Sequence, residues 1–130
     1  MQDSIFTKII KGEIPSYKIY EDDDVLAFLD IHPVTEGHIL VIPKKQVQFV
    51  WDLEAEDYRK LTDAVQKIAL HLRETLEVEY VGEKIVGTDV PHAHVHLIPF
   101  NQDTEYDRRS SETLEFSEAE FASLVEKLKF

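Results

Sequence analysis

His92-Ala93-His94-Val95-His96-Leu97-Ile98-Pro99 is the stretch that decides how this 130-residue chain is read. Side chains on a β-strand alternate with a period of two. A strand over 92–100 therefore puts three imidazoles on one face and Ala93, Val95 and Leu97 on the other. The apolar set packs into a core, which leaves the imidazoles facing solvent, a cleft or a ligand. Neighbouring imidazoles on such a strand stand roughly 7 Å apart, twice the rise per residue. A solitary histidine on a strand is most often a surface or hydrogen-bonded structural residue. Three of the chain's six histidines in strict alternation point to chemistry. Two chemistries use such a row: His-x-His on a strand supplies metal ligands, and aligned imidazoles supply a nucleophile with proton donors beside it. Three histidines along a flat strand do not converge on one zinc ion, although His38 can complete a site with two of them. A substrate lying along the strand needs no such convergence.

Elements are legible on both sides of this segment. Residues 4–11 carry Ile5, Phe6, Ile9 and Ile10 at helical spacing, with Asp3 or Ser4 as N-cap and Gly12 as a stop. Glu13-Ile14-Pro15 is an extended connector, because the residue before proline is pushed out of the helical region. Short strands are predicted at 17–20 and, after the acidic turn 21–24, at 25–30. His38-Ile39-Leu40-Val41-Ile42, ending at Pro43, is an almost continuous apolar run and predicts a central strand. Apolar residues at Tyr58, Leu61, Val65, Ile68, Leu72 and Leu76 form one stripe of a long helix over 54–76. A further strand is predicted at 83–86 and a polar loop at 101–115. Ser117 and Glu120 form a capping box for a last helix carrying Phe121, Leu124, Val125 and Leu128. Strands separated by one long helix, with short helices at both ends, predict an α+β domain on a mainly antiparallel sheet, spanning residues 1–130. The order of the strands is not readable.

Composition narrows the function. The formal net charge is −12, with 26 acidic residues against 14 basic ones. That argues against a polymeric nucleic-acid partner, which is held by lysines and arginines. It is silent on a single nucleotide, which backbone N–H groups and a few imidazoles can hold. No cysteine is present, so neither disulfides nor thiolate metal sites enter, which fits a cytoplasmic protein. No apolar run has the length of a membrane span, and no signal-peptide pattern opens the chain.

His-Ala-His-Val-His-Leu-Ile resembles the signature of the histidine triad (HIT) family, His-φ-His-φ-His-φ-φ with φ apolar. The likeness extends to Ser4-Ile5-Phe6-Thr7-Lys8-Ile9-Ile10, Gly12-Glu13-Ile14-Pro15, Leu26-Ala27-Phe28-Leu29-Asp30-Ile31 and the run from Pro33 to Lys44, all of which look like its nucleotide-binding (HINT-like) branch. It is strongest over 4–45 and 85–99. The resemblance implies a HIT-like fold and a homodimer with sheets joined across the interface. It implies a hydrolase or nucleotidyl transferase acting on the α-phosphate of purine nucleotide conjugates such as phosphoramidates or acyl-adenylates. His94 would be the nucleophile that forms a nucleotidyl-histidine. His96 would contact the phosphate and protonate the leaving group, with His92 and His38 completing a proton-sharing set. Asp30 corresponds to the residue that binds the ribose hydroxyls, and Ile5, Phe6, Ile14, Phe28 and Ile31 to the pocket around the base. No cofactor is expected. A dinucleoside polyphosphate hydrolase and a nucleotide-binding adaptor with weak catalysis are the alternatives.

Two departures from the family pattern stand out. Many members carry Gly-Gln-Ser/Thr-Val before the first histidine; here the run is Gly87-Thr88-Asp89-Val90-Pro91-His92. Thr88 keeps a donor for the phosphate and Val90 keeps its place, while Asp89 puts a carboxylate where a hydroxyl serves the phosphate. The preceding loop is shortened, and the family's asparagine has no clear counterpart in it. Some relatives also hold structural zinc with two cysteines and a histidine, at positions occupied here by Ser4, Thr7 and Gln46. These are not credible zinc ligands in that role, so no metal site is expected.

Overall fold

The computed structural model describes residues 2–106 and 113–130. Helix α1 (Ile5–Ile10) opens the chain, with Ser4 as N-cap accepting the Thr7 N–H. Gly12 follows with φ +79°, the left-handed stop expected there. Strands β1 (Lys18–Glu21), β2 (Val25–Leu29) and β3 (Ile39–Pro43) come next. A short 3-10 turn (Val50–Asp52) then leads into the long helix α2 (Ala55–Leu76). Strands β4 (Tyr80–Lys84) and β5 (Val95–Phe100), a single helical turn α3 (Asp103–Tyr106) and helix α4 (Glu118–Leu128) complete the order.

The five strands form one antiparallel sheet in the order β1-β2-β3-β5-β4, as the α+β expectation requires. Alternation assigns each strand two faces. Val25, Ala27 and Leu29, Ile39 and Val41, and Val95 and Leu97 point to the side covered by α2 and α4. There they meet Leu61, Ala64, Val65, Ile68 and Leu72 of α2, and Phe121, Leu124 and Leu128 of α4. The other face carries Leu26, Phe28, Leu40 and Ile42, which pack under Phe6 and Ile9 of α1. That second face is covered at one end by a helix of six residues, and the uncovered remainder is where the imidazoles lie.

Several boundaries differ from expectation for identifiable reasons. The strand expected at 83–86 lies at Tyr80–Lys84 instead. β4 is an edge strand with no buried residue, so it writes no apolar pattern. The polar segment 101–115 contains α3, and its residues 107–112 lie outside the described part. β5 begins at Val95, not His92. Before that point the backbone leaves the ladder: the His92 N–H reaches the Val90 carbonyl, and Ala93 pairs with Val47 in the loop after β3. Gly37 turns the chain into β3 with φ +89°, where a Cβ would also come within 2.6 Å of Leu76 Cδ1.

Candidate active site

The three histidines of the decisive stretch have unequal places. His96 sits in β5, opposite Leu40 of β3 on one side and Lys84 of β4 on the other. His94 precedes the strand, and its ring lies 5.2 Å from that of His96. His92 is fully buried and does not reach the cavity described below. The expectation of three imidazoles on one open face therefore holds for two of them. The third turns inward, because the chain bends at Pro91 before it joins the sheet.

Hydrogen bonds set the protonation pattern. His94 Nδ1 lies 2.8 Å from the main-chain oxygen of His92 and must donate to it. In the neutral ring this leaves the lone pair on Nε2, the atom that can attack. His38 Nδ1 accepts the Val34 N–H at 3.0 Å, so the proton of its neutral ring is on Nε2 and is donated to His96 Nδ1 at 2.9 Å. His96 in turn carries its proton on Nε2. A nucleophilic nitrogen and a donor N–H thus stand side by side. Burial, reinforced by the neighbouring His96, holds His38 down at about 3. Burial, with His94 beside it, holds His96 at about 4. Both rings are neutral at physiological pH. The Asp30 carboxylate closes the group, with Oδ2 3.5 Å from His38 Nε2 and 4.0 Å from His96 Nδ1. Its other oxygen accepts the His32 N–H, and burial raises its proton affinity.

A cavity of about 670 Å³ opens over these groups. Of the residues expected at a nucleotide site, Ile5, Phe6, Ile14, Phe28, Asp30, Ile31, Val90, His38, His94 and His96 line it. Thr88 is exposed and does not, whereas Asp89 beside it does. Ile5 and Ile31 are 50% and 60% exposed, which a core role would not allow and the wall of a ligand pocket explains. Phe6 stands edge-on to Phe28 at 5.6 Å and to His94 at 5.2 Å, joining the apolar end of the cavity to the imidazole end. Two polar lining residues not assigned to the site from the sequence are Ser16 and Lys84. Ser16 has a buried hydroxyl without a partner among the described residues. Lys84 comes from β4.

His92 is tied down on both nitrogens. Nε2 donates to the Pro43 carbonyl at 2.7 Å, and Nδ1 accepts from the Ser4 hydroxyl at 2.8 Å. Gln46 Oε1 accepts the Ser4 N–H at 2.7 Å and the Thr7 hydroxyl at 2.6 Å. The positions at which some relatives would carry zinc ligands therefore converge on His92 through hydroxyl and amide groups, and this donor set does not suit zinc. Asp30, His38 and His96 offer ligand atoms within 4.8 Å of one another. A metal on His38 Nε2 would, however, move the ring proton to Nδ1, against the Val34 N–H already bonded there.

Comparison with known proteins agrees with this geometry. The HIT domain family matches residues 11–103. The protein Hit of Bacillus subtilis is 46% identical over 104 residues, covering 75% of this chain and 71% of that protein. An adenosine 5′-monophosphoramidase of Saccharomyces cerevisiae is 41% identical over 96 residues, covering 73% of this chain and 61% of that protein. The crystal structure of a Hit-like protein from Bartonella henselae superposes with a TM-score of 0.85 at 32% identity, covering 99% and 98% of the two chains.

Proposed function

We propose, because this chain belongs to the HIT family, that it hydrolyses purine nucleotide conjugates at the α-phosphate through a covalent nucleotidyl-histidine on His94. The observation that carries this reading is the bond from His94 Nδ1–H to the His92 carbonyl, which presents Nε2 as a free base beside the His96 N–H. The base lies against Ile5, Phe6, Phe28 and Ile31, and Asp30 takes the ribose hydroxyls. Nε2 of His94 attacks the α-phosphorus, the bond to the leaving group breaks, and His96 Nε2–H hydrogen-bonds the departing atom. A bound phosphate favours the protonated imidazole, so the substrate itself readies His96 as a donor. Water then attacks the phosphorus, the N–P bond breaks, and the nucleoside monophosphate leaves. The yeast phosphoramidase among the relatives supports chemistry of this class.

Incubation with adenosine 5′-phosphoramidate is expected to release AMP, and His94→Ala to lower the rate by at least about 10³-fold. Turnover unchanged in that variant would overturn the mechanism. Asp89, a carboxylate on the cavity rim, favours one second reading, a nucleotide-binding module with weak catalysis. Tight AMP binding with negligible turnover would select it. We also propose a cytoplasmic homodimer joined along β4, whose outer edge has no partner strand among the described residues.

A further inference from the structure

Ser4 and Thr7 at the start of α1, and Gln46 in the loop after β3, gather around His92 without lining the cavity. The polarity of their bonds follows from the main chain. Gln46 meets two backbone groups whose roles are fixed. The Ser4 N–H donates to Oε1 at 2.7 Å, and the Gln2 carbonyl accepts from Nε2 at 2.8 Å. The amide therefore has one orientation. Oε1 can only accept, so the Thr7 hydroxyl, 2.6 Å away, gives its single proton there. That hydroxyl stands 3.3 Å from His92 Nδ1 and has no proton left for it. The Ser4 hydroxyl accepts the Thr7 N–H at 3.0 Å and is left as the donor to Nδ1 at 2.8 Å. Across the ring, the Pro43 carbonyl requires a proton on Nε2. Both ends agree on one tautomer, and burial keeps the ring neutral by lowering its proton affinity.

His92 is thereby withdrawn from proton traffic. Both of its nitrogens are committed and the ring does not reach the cavity, so it does not complete the proton-sharing set that family resemblance implies. What it offers the cavity is its carbonyl oxygen, 2.8 Å from His94 Nδ1. The place of that oxygen decides whether the His94 proton stays on Nδ1 and leaves Nε2 free.

We propose that Gln46 is a positioning residue for His94, acting through Thr7, Ser4 and His92 to keep the nucleophile in its Nδ1–H tautomer. This rests on the reading of His94 as nucleophile, and assigns its alignment to an amide outside the cavity. Without that amide the Ser4 N–H and the Thr7 hydroxyl lose their acceptor. The freed Thr7 proton then competes with that of Ser4 for His92 Nδ1, and the ring and its carbonyl are no longer held in one place.

Gln46→Met keeps the length of the side chain and removes both hydrogen-bonding groups, whereas Gln46→Glu keeps an acceptor for Ser4 and Thr7. In folded Gln46→Met, kcat for adenosine 5′-phosphoramidate is expected to fall about tenfold, the factor for one hydrogen bond. KM should change less than about twofold, because Gln46 does not line the cavity, and Gln46→Glu should recover most of the loss. Imidazole-nitrogen NMR reads the cause without substrate: His94 should be Nδ1–H alone in wild-type protein and a mixture of tautomers in Gln46→Met. Gln46→Asn, which withdraws the amide by one methylene, supplies both readings if Gln46→Met does not fold. An unchanged His94 tautomer in the folded variant, whether or not kcat falls, overturns this inference alone. Wild-type protein that shows the Nδ1–H tautomer but turns nothing over overturns the proposed function, while the NMR comparison still decides the role of Gln46.

Discussion

A proton added to His38 has nowhere to be solvated, because the ring is buried and its two nitrogens already serve Val34 and His96. That cost has a pH signature. In the unfolded chain both histidines titrate near their ordinary 6.5, while in the folded protein His38 is held at about 3 and His96 at about 4. Above pH 6.5 neither state binds these protons, and the stability is fully present. As pH falls below 6.5 the unfolded chain takes up protons that the folded one refuses, and stability declines by up to about 1.4 kcal/mol per pH unit for each histidine. Asp30, whose proton affinity burial raises, acts in the opposite sense. Urea midpoints at pH 7.5, 6 and 5 should show the decline, and His38→Gln should flatten it; constant stability over this range would contradict the neutral pair. At this scale much was legible. His94, His96, Asp30 and the aromatic wall follow from alternation and from family resemblance. Lys84 was not legible, since a lysine near a strand end reads as a surface charge until the pairing register places it opposite His96.

Helix α1 has six residues, too few to be stable on their own, and it buries only Phe6 and Ile9. What holds it is the set of bonds from Ser4 and Thr7 to His92 and Gln46. Ser4→Ala removes the N-cap, worth about 1 kcal/mol, and leaves the buried His92 Nδ1 only the longer contact to the Thr7 hydroxyl at 3.3 Å, a loss of roughly 1 kcal/mol more. Thermal unfolding should register the sum, with Ser4→Thr retaining most of it. Because the His92 carbonyl orients His94, Ser4→Ala should also lower kcat more than it raises KM; a purely structural role would leave kcat of the folded fraction unchanged. Elements with a strong apolar stripe or cap were readable: α2, β2, β3 and the capping box of α4 stand within two residues of expectation. β4 slipped by up to three residues because an edge strand with no buried face carries no alternation. The start of β5 was misplaced because Pro91 and the pairing of Ala93 with Val47 override the histidine alternation.

The whole sheet has two edges, and the chain treats them differently. The N–H of the last residue, Phe130, reaches the Ile19 carbonyl and so partly covers β1, whereas the outer side of β4 is unpaired among the described residues. Unpaired edges invite strands, so a second copy joined at β4 should give a solution mass of twice 15.1 kDa by light scattering at micromolar concentration. A monomer there would overturn the dimer. Strand order was beyond the sequence, since nothing local states that β5 inserts between β3 and β4. The scant anchoring of α1 bears on how ligands come and go. This helix both walls the apolar end of the cavity and holds His92, whose carbonyl orients His94. On the proposed mechanism, a change that loosened α1 would therefore weaken ligand retention and the aim of His94 together.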